Sequence, residues 1–229
     1  PPYETCSPRH IGLGTNSGGK LVEYFMTSTA TTTPFVLDEA ALDLLFREAR
    51  TANSFTDEAV SADQVREIFE LTKFGPTMMN SQPMRLLLVE QGEGRDRLVS
   101  HMGGNNAAKT ASAPMVAVIA ADVDFHDRLA DHFPHAPGAR EMFAGDEESR
   151  AQIARFNTAL QAAYFIIGIR AAGLAAGPMT GFDAAGLDEE FFAGTSWRSQ
   201  LVVNIGKPGA DAWFDRLPRI SSDAAVRVV

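Results

Sequence analysis

The sequence predicts one mixed domain in which amphipathic helices alternate with short, fully apolar strands. Three observations predict it. Apolar residues recur at helical spacing from Leu37 to Ala49 and again from Val65 to Thr72. Between and beyond them stand the short apolar runs Leu86–Val89, Pro114–Ala121 and Leu201–Val203. Finally, residues 149–172 carry apolar side chains nearly all round a helix, which places that helix centrally or at a subunit contact. At 229 residues, 45% hydrophobic and 21% charged, the chain can bury one sizeable core.

The charge balance narrows the partners. A net charge of −9 with no basic run argues against nucleic acid and against anionic membrane surfaces. Cys6 is the only cysteine, so there is no intrachain disulfide and no thiolate metal cluster. A reducing, cytoplasmic home fits. The most apolar long stretch, 159–179, is interrupted by Gln161 and Arg170 and reads as a buried helix rather than a membrane span.

Residues 1–33 differ from the rest. They are rich in Gly, Ser, Thr and Pro and are expected to form a poorly ordered tail, leaving 34–229 as a single ordered domain. No signal-peptide layout is present. The run Gly12-Leu13-Gly14-Thr15-Asn16-Ser17-Gly18 is not read as a dinucleotide loop, because no strand pattern precedes it and no helix pattern follows it. Met26 is a candidate for a truer start.

In the ordered part, Leu37, Ala41, Leu42, Leu45, Phe46 and Ala49 are expected to share one buried helical face, with Arg47 and Arg50 in the last turn. Ser61-Ala62-Asp63-Gln64 has the pattern of a capping box, and Val65, Ile68, Phe69 and Thr72 form the inner face of the next helix. That helix stops at Gly75-Pro76, where Gly75 is expected to take the left-handed cap conformation and Pro76 cannot continue the helix. Thr77-Met78-Met79-Asn80-Ser81-Gln82-Pro83 is thus a polar loop between two buried elements, the kind of place where binding chemistry sits or where a turn simply needs Pro, Asn and Ser for shape.

Beyond the strand at 86–90, Gly92 and Gly94 mark a turn and 95–102 reads as a helix. Asn106 and Lys109, three apart, share the face of a helical turn. Residues 122–150 read as an irregular, mobile excursion over a pocket; their His and Asp residues lack ligand spacing, so no metal is assigned. In the long helix, Ile153, Phe156, Leu160, Ala163, Tyr164, Ile167 and Ala171 line one side, Phe165, Ile166 and Ile169 add a second apolar face, and Gly173 supplies the cap. A strand over 174–180 leads into Gly181-Phe182-Asp183; a short helix at 184–192 and a strand at 199–206 follow.

Taken in order, Pro76-Thr77-x-x-Asn80-x-Gln82-Pro83, Asn106-x-x-Lys109, Thr180-Gly181-Phe182 and Arg216-Leu217-Pro218-Arg219 resemble the nitroreductase-like flavoproteins along nearly the whole ordered chain. Within that family the chain is most similar to the malonic semialdehyde reductases of pyrimidine (uracil) breakdown. Lys73-Phe74-Gly75-Pro76-Thr77, His132-Phe133-Pro134-His135 and Gln161-Ala162-Ala163-Tyr164 carry that likeness together with Gly177–Asp183 and Arg216–Arg219.

The resemblance implies an α+β fold, a central and mostly antiparallel sheet flanked by helices, assembled as a homodimer with two FMN sites at the interface. It implies that Arg50, Thr51, Asn53 and Arg216 hold the flavin, and that Pro76, Thr77, Met78 and Asn80 reach the flavin of the partner subunit. It implies that Asn106 meets the uracil-like edge of the ring, that backbone N–H groups of Thr180 and Gly181 face N5 and O4, and that Lys109 balances charge at N1 and O2 as the catalytic cation. Two departures stand out. Only Arg50, Thr51 and Asn53 remain of the family's Arg-x-Ser-x-Arg/Lys signature, and Thr180 replaces a frequent Glu. The implied activity is ping-pong transfer of hydride from NADH or NADPH through the flavin to malonic semialdehyde, or to nitro compounds and quinones on the same scaffold; a flavin-binding protein without turnover is a third reading. A carboxylate substrate asks for a cation beside the open flavin face, for which Arg140 and His135 are the candidates.

Overall fold

The computed structural model describes residues 34–229 and, as backbone, the strands β1 (Gly12–Thr15) and β2 (Leu21–Tyr24), which pair antiparallel. The tail expected over 1–33 otherwise lies outside the described residues; the ladder within it had no signal in the Gly- and Ser-rich composition. The chain divides after Asp38 into two units, the second of them Glu39–Val229.

In this second unit four strands form the sheet: β3 (Met84–Val89), β4 (Met115–Asp122), β5 (Ala175–Met179) and β6 (Trp197–Gly206), in the order β3-β4-β6-β5 with every neighbouring pair antiparallel. All eight residues of β4 are buried, because helices cover both faces of the sheet. Alternation along β4 sorts its side chains. Met115, Ala117 and Ile119 pack with Val65, Ile68, Phe165 and Ile169 from α2 (Ala62–Thr72) and α7 (Glu147–Ala171). Val116, Val118 and Ala120 pack with Leu98, Leu187 and Phe192 from α3 (Glu93–Ser100) and α8 (Ala184–Phe192). Each such large side chain contributes about 1.5–3 kcal/mol by leaving water.

The Ser61 cap forms as expected, its hydroxyl accepting from Gln64 N at 3.1 Å. Gly173 takes the left-handed conformation, φ +70°, after the end of α7. Gly75 does not. Its role is a close approach: a Cβ there would stand 2.9 Å from the ring of Tyr164. The left-handed backbone falls instead on Met79, Asn80 and Gln82, at φ 51°, 50° and 45°.

Two further expectations need correction, and the reading of the two apolar faces of α7 is narrowed. The first helix, α1 (Glu39–Leu42), runs into a π turn over Asp43–Arg47, and of its expected inner face only Leu42 is buried. The side of α7 bearing Phe156, Leu160 and Tyr164 is exposed, and the core takes Phe165, Ala162 and Ile169 instead. A 3.6-residue period marks apolar faces without saying which one meets the core. Residues 122–150 are not an open excursion. They fold as a 3-10 turn (Phe125–Arg128), α5 (Leu129–His132) and α6 (Glu141–Ala144) around Phe125, Leu129 and Ala139, while Arg150 is buried inside α7. Its guanidinium ties Val123 O, Phe143 O and Asp124 together at 2.9–3.1 Å. No helix among the described residues is long and apolar enough to cross a membrane.

Candidate functional site

Two loops are stitched together at one end of the sheet. Gly103 N donates to Gly181 O at 3.0 Å, Asp183 N donates to His101 O at 2.8 Å, and Met102 bridges Phe182 between them. This short ladder sets the start of α4 (Asn106–Ser112) beside Gly181. Asn106 Nδ2 then donates to Gly181 O at 3.1 Å. The approach is tight: a Cβ on Gly181 would stand 2.7 Å from Asn106 Nδ2 and would push that amide aside. Thr180 and Gly181 are exposed, and the Gly181 N–H has no partner among the described residues.

One helical turn on, Lys109 Nζ donates to Asn53 Oδ1 at 2.7 Å. Lys109 is half-buried and no carboxylate pairs with it among the described residues. Asn53 is fixed by its own backbone, N to Ala212 O at 2.9 Å, while Ala52 N donates to Ala176 O of β5 at 2.9 Å. That segment lies so close to β5 that a Cβ on Gly177 would stand 2.7 Å from Ala52 O. Residues from three separated segments, around 53, 106 and 181, therefore converge.

The far end of α4 is held by side chains that no sequence motif singled out. A helix leaves its last carbonyls without internal partners. Gln91 Nε2 donates to Ala111 O and Ala113 O, at 3.2 and 2.9 Å. Arg95, 1% exposed, donates to Thr110 O, Ala113 O and Val89 O at 2.5–2.8 Å. Burial lowers its pKa to about 10, so it stays charged near neutrality, and a cation at a helix C-terminus is favoured by the helix dipole.

Arg50 and Arg216 meet at Glu48, with N–O distances of 3.7 and 3.8 Å. Arg50 also donates to Phe214 O at 3.3 Å and lies over the Trp213 ring, 5.7 Å from its centroid, while its Nε is buried with no partner among the described residues. Arg216 donates to Arg47 O. Arg170, placed within the long helix by its apolar surroundings, lines a cavity of about 170 Å³ together with Arg50. Thr51 is exposed between Arg50 and Asn53, its carbonyl accepting from Asn53 Nδ2 at 3.2 Å.

The Pro76–Asn80 loop makes its contacts with other segments of the chain. Asn157 of α7 accepts from Met78 N at 2.7 Å, and Gln161 accepts from Met84 N at 3.0 Å, clasping the loop at both ends. Thr77 Oγ1 accepts from Gln82 N at 3.2 Å and Asn80 Nδ2 donates to His132 O at 2.9 Å. Three non-glycine residues with positive φ in one loop is costly, at about 1–3 kcal/mol each, and such strain clusters at ligand sites. Arg140 is engaged by Asp127 at 2.8 Å, and exposed His135 packs against Phe133 with ring centroids 3.8 Å apart and planes tilted by 55°.

The nitroreductase family profile matches residues 46–207. The chain belongs to the nitroreductase family. A curated relative from Streptomyces griseus, named "Putative NADH dehydrogenase/NAD(P)H nitroreductase", is 57% identical over 194 residues, covering 85% of this chain and 98% of its own. A solved nitroreductase-type structure from Exiguobacterium sibiricum, described as a complex with FMN, aligns with a TM-score of 0.74 at 18% identity, over 86% of this chain and all of that one. An enone reductase of gut-bacterial fatty acid saturation aligns with a TM-score of 0.72 at 14% identity, over 85% and 100%. At these identities the structural likenesses show the fold alone, an α+β nitroreductase-like fold.

Proposed function

We propose that this protein is an FMN-dependent NAD(P)H oxidoreductase, with the Asn53–Lys109–Asn106–Gly181 cluster as its flavin site. The observation that carries the reading is the half-buried Lys109 ammonium held by a neutral amide with no carboxylate pairing with it among the described residues. A cation in that setting is available to an anionic ligand edge. The residues fit a flavin in three further respects. Gly181 is exposed and its N–H has no partner among the described residues, its position is a cradle that a side chain would fill, and Arg50 keeps a buried Nε without a partner among the described residues. When bound, the flavin supplies the two-electron carrier between NAD(P)H and an oxidised substrate. Asn106 and the Gly181 backbone orient the ring, Lys109 balances charge on its pyrimidine side, and Arg50 with Arg216 holds the phosphate. The FMN complex described for the Exiguobacterium structure and the name of the Streptomyces relative agree with this reading.

The assembly belongs to the same proposal. The Pro76–Asn80 loop makes its contacts away from the Lys109 cluster, and α7 exposes Phe156, Leu160 and Tyr164 on one side. A homodimer that buries this side of α7 and brings the loop of one subunit to the flavin of the other accounts for both. Sedimentation of the FMN-loaded protein at a monomeric mass would refute it.

For the substrate, the narrower reading is malonic semialdehyde reduced to 3-hydroxypropanoate. It is supported by the motifs at 73–77, 132–135 and 177–183. The broader reading is reduction of nitro compounds and quinones. It is supported by the name of the Streptomyces griseus relative, an NAD(P)H nitroreductase. NAD(P)H oxidation by the purified yellow protein, compared across malonic semialdehyde, nitrofurazone and a quinone, decides between them. Absence of FMN from the purified protein would overturn both.

A further inference from the structure

Gln200 occupies an irregularity in the sheet. Ala120 of β4 pairs with Ser199 of β6 and Ile119 pairs with Leu201, so Gln200 is an extra residue with no partner on β4, a β-bulge. The bulge reverses the alternation of β6. Ser199 turns to the α8 side, where its N–H donates to Asp188 Oδ1 at 2.8 Å. Gln200 joins the α7 side with Leu201, where it lines a cavity of about 310 Å³.

The cavity joins this bulge to the candidate flavin site, because Thr180, one residue before Gly181, forms part of its wall. Ala159, Ala162, Ala163 and Ile166 of α7 supply most of the rest. Three alanines give a low, flat surface that a planar molecule can approach closely. Its volume falls at the small end of the range of ligand pockets. In this apolar setting the Gln200 Nε2 is buried and has no hydrogen-bond partner among the described residues. An amide donor left so is costly, and leucine on the same bulge would avoid the cost. Bulges commonly re-aim a side chain next to a functional site.

We propose that Gln200 is a substrate-binding residue, donating from its side-chain amide to the nitro or carbonyl oxygen of a planar, largely apolar substrate seated in this cavity. The proposal rests on the oxidoreductase reading for its substrate class and adds the group that selects for an oxygen on the ring. A site built around a buried donor rejects the analogue that lacks an acceptor, since the donor then stays unpaired.

The test compares two molecules of similar shape, nitrobenzene and isopropylbenzene, by equilibrium dialysis against FMN-saturated protein without NAD(P)H. Wild type is expected to hold nitrobenzene roughly tenfold more tightly. Gln200→Leu is expected to lose that preference while unfolding at the same or a higher denaturant concentration. Gln200→Met replaces it if the branched side chain disturbs the bulge. A preference that survives both substitutions, or is missing in wild type, overturns the assignment. So does failure of both molecules to bind, which would mean that protein closes the cavity. Because dialysis needs no turnover, an inactive protein that still discriminates would sink the oxidoreductase reading, and with it the substrate role, while leaving Gln200 as the residue that binds the acceptor oxygen.

Discussion

The Lys109 ammonium donates to the Asn53 amide oxygen at 2.7 Å, so the cation of the site is oriented by a neutral group and keeps its charge available. Asn53→Asp keeps the shape and the hydrogen bond but places a carboxylate on Lys109. Reduction of bound FMN by NAD(P)H is expected to slow roughly tenfold or more, with Lys109→Met giving a similar loss and FMN retention falling less in each. Stopped-flow bleaching of the flavin absorbance checks this. Equal losses in reduction and in FMN affinity would contradict an electrostatic role for Lys109.

Gly181→Ala tests the cradle. The new Cβ would stand 2.7 Å from Asn106 Nδ2, and the amide must swing away from its present bond to Gly181 O. The residue is exposed and its φ is not positive, so folding should lose only about 1 kcal/mol. FMN affinity, read by fluorescence of released flavin, is expected to fall roughly tenfold or more. Unchanged affinity would show that this edge does not meet the cofactor.

Arg95→Met removes one guanidinium from three buried carbonyls. The expected cost is about 3 kcal/mol in urea unfolding, since those acceptors lose a charged donor in a dry site. Arg95→Lys should recover only part of it, because an ammonium cannot span the same fork. The depressed pKa carries a sign. Burial penalises the charged form, that penalty is present in full below about 10, and it is relieved only as pH rises from there toward the ordinary value. Arg95 therefore contributes no slope to stability near neutrality. A variant that unfolds at the wild-type urea concentration would show that α4 does not need this anchor.

Gly168→Ala addresses the contact of α7 with α2. A Cβ at Gly168 would run into Thr72 Cγ2 and come within 3.1 Å of Ile68 Cγ2, both on the buried face of α2. Alanine is the better helix former by roughly 1 kcal/mol, so a net loss of about 1–2 kcal/mol would mean that overpacking outweighs propensity. Thermal unfolding decides the sign, and a gain in stability would show that the two helices separate easily.

Arg140→Ala is expected to do little. Its partner Asp127 is exposed, as it is itself, and surface pairs of this kind contribute about 0–1 kcal/mol. KM values for malonic semialdehyde and for nitrofurazone should both stay within about twofold of wild type. A selective rise in KM for the semialdehyde would restore Arg140 as the carboxylate site.

Sequence alone determined the local elements. The apolar run at 114–121 is the doubly covered strand β4, Ser61 caps α2, Gly173 ends α7, and Asn106 with Lys109 shares a turn of α4. Each of these follows from a period or from one residue's backbone chemistry, which neighbours in the chain suffice to express. Only the tertiary structure decided which apolar side of α7 faces the core, that Gly75 makes room for Tyr164, and that Asp127 occupies Arg140. It alone brought Asn53, Asn106 and Gly181 together and set Gln91 and Arg95 on the end of α4. Those relations join residues far apart in sequence, and their energies depend on burial and on unsatisfied partners. Neither quantity exists until the chain has closed on itself.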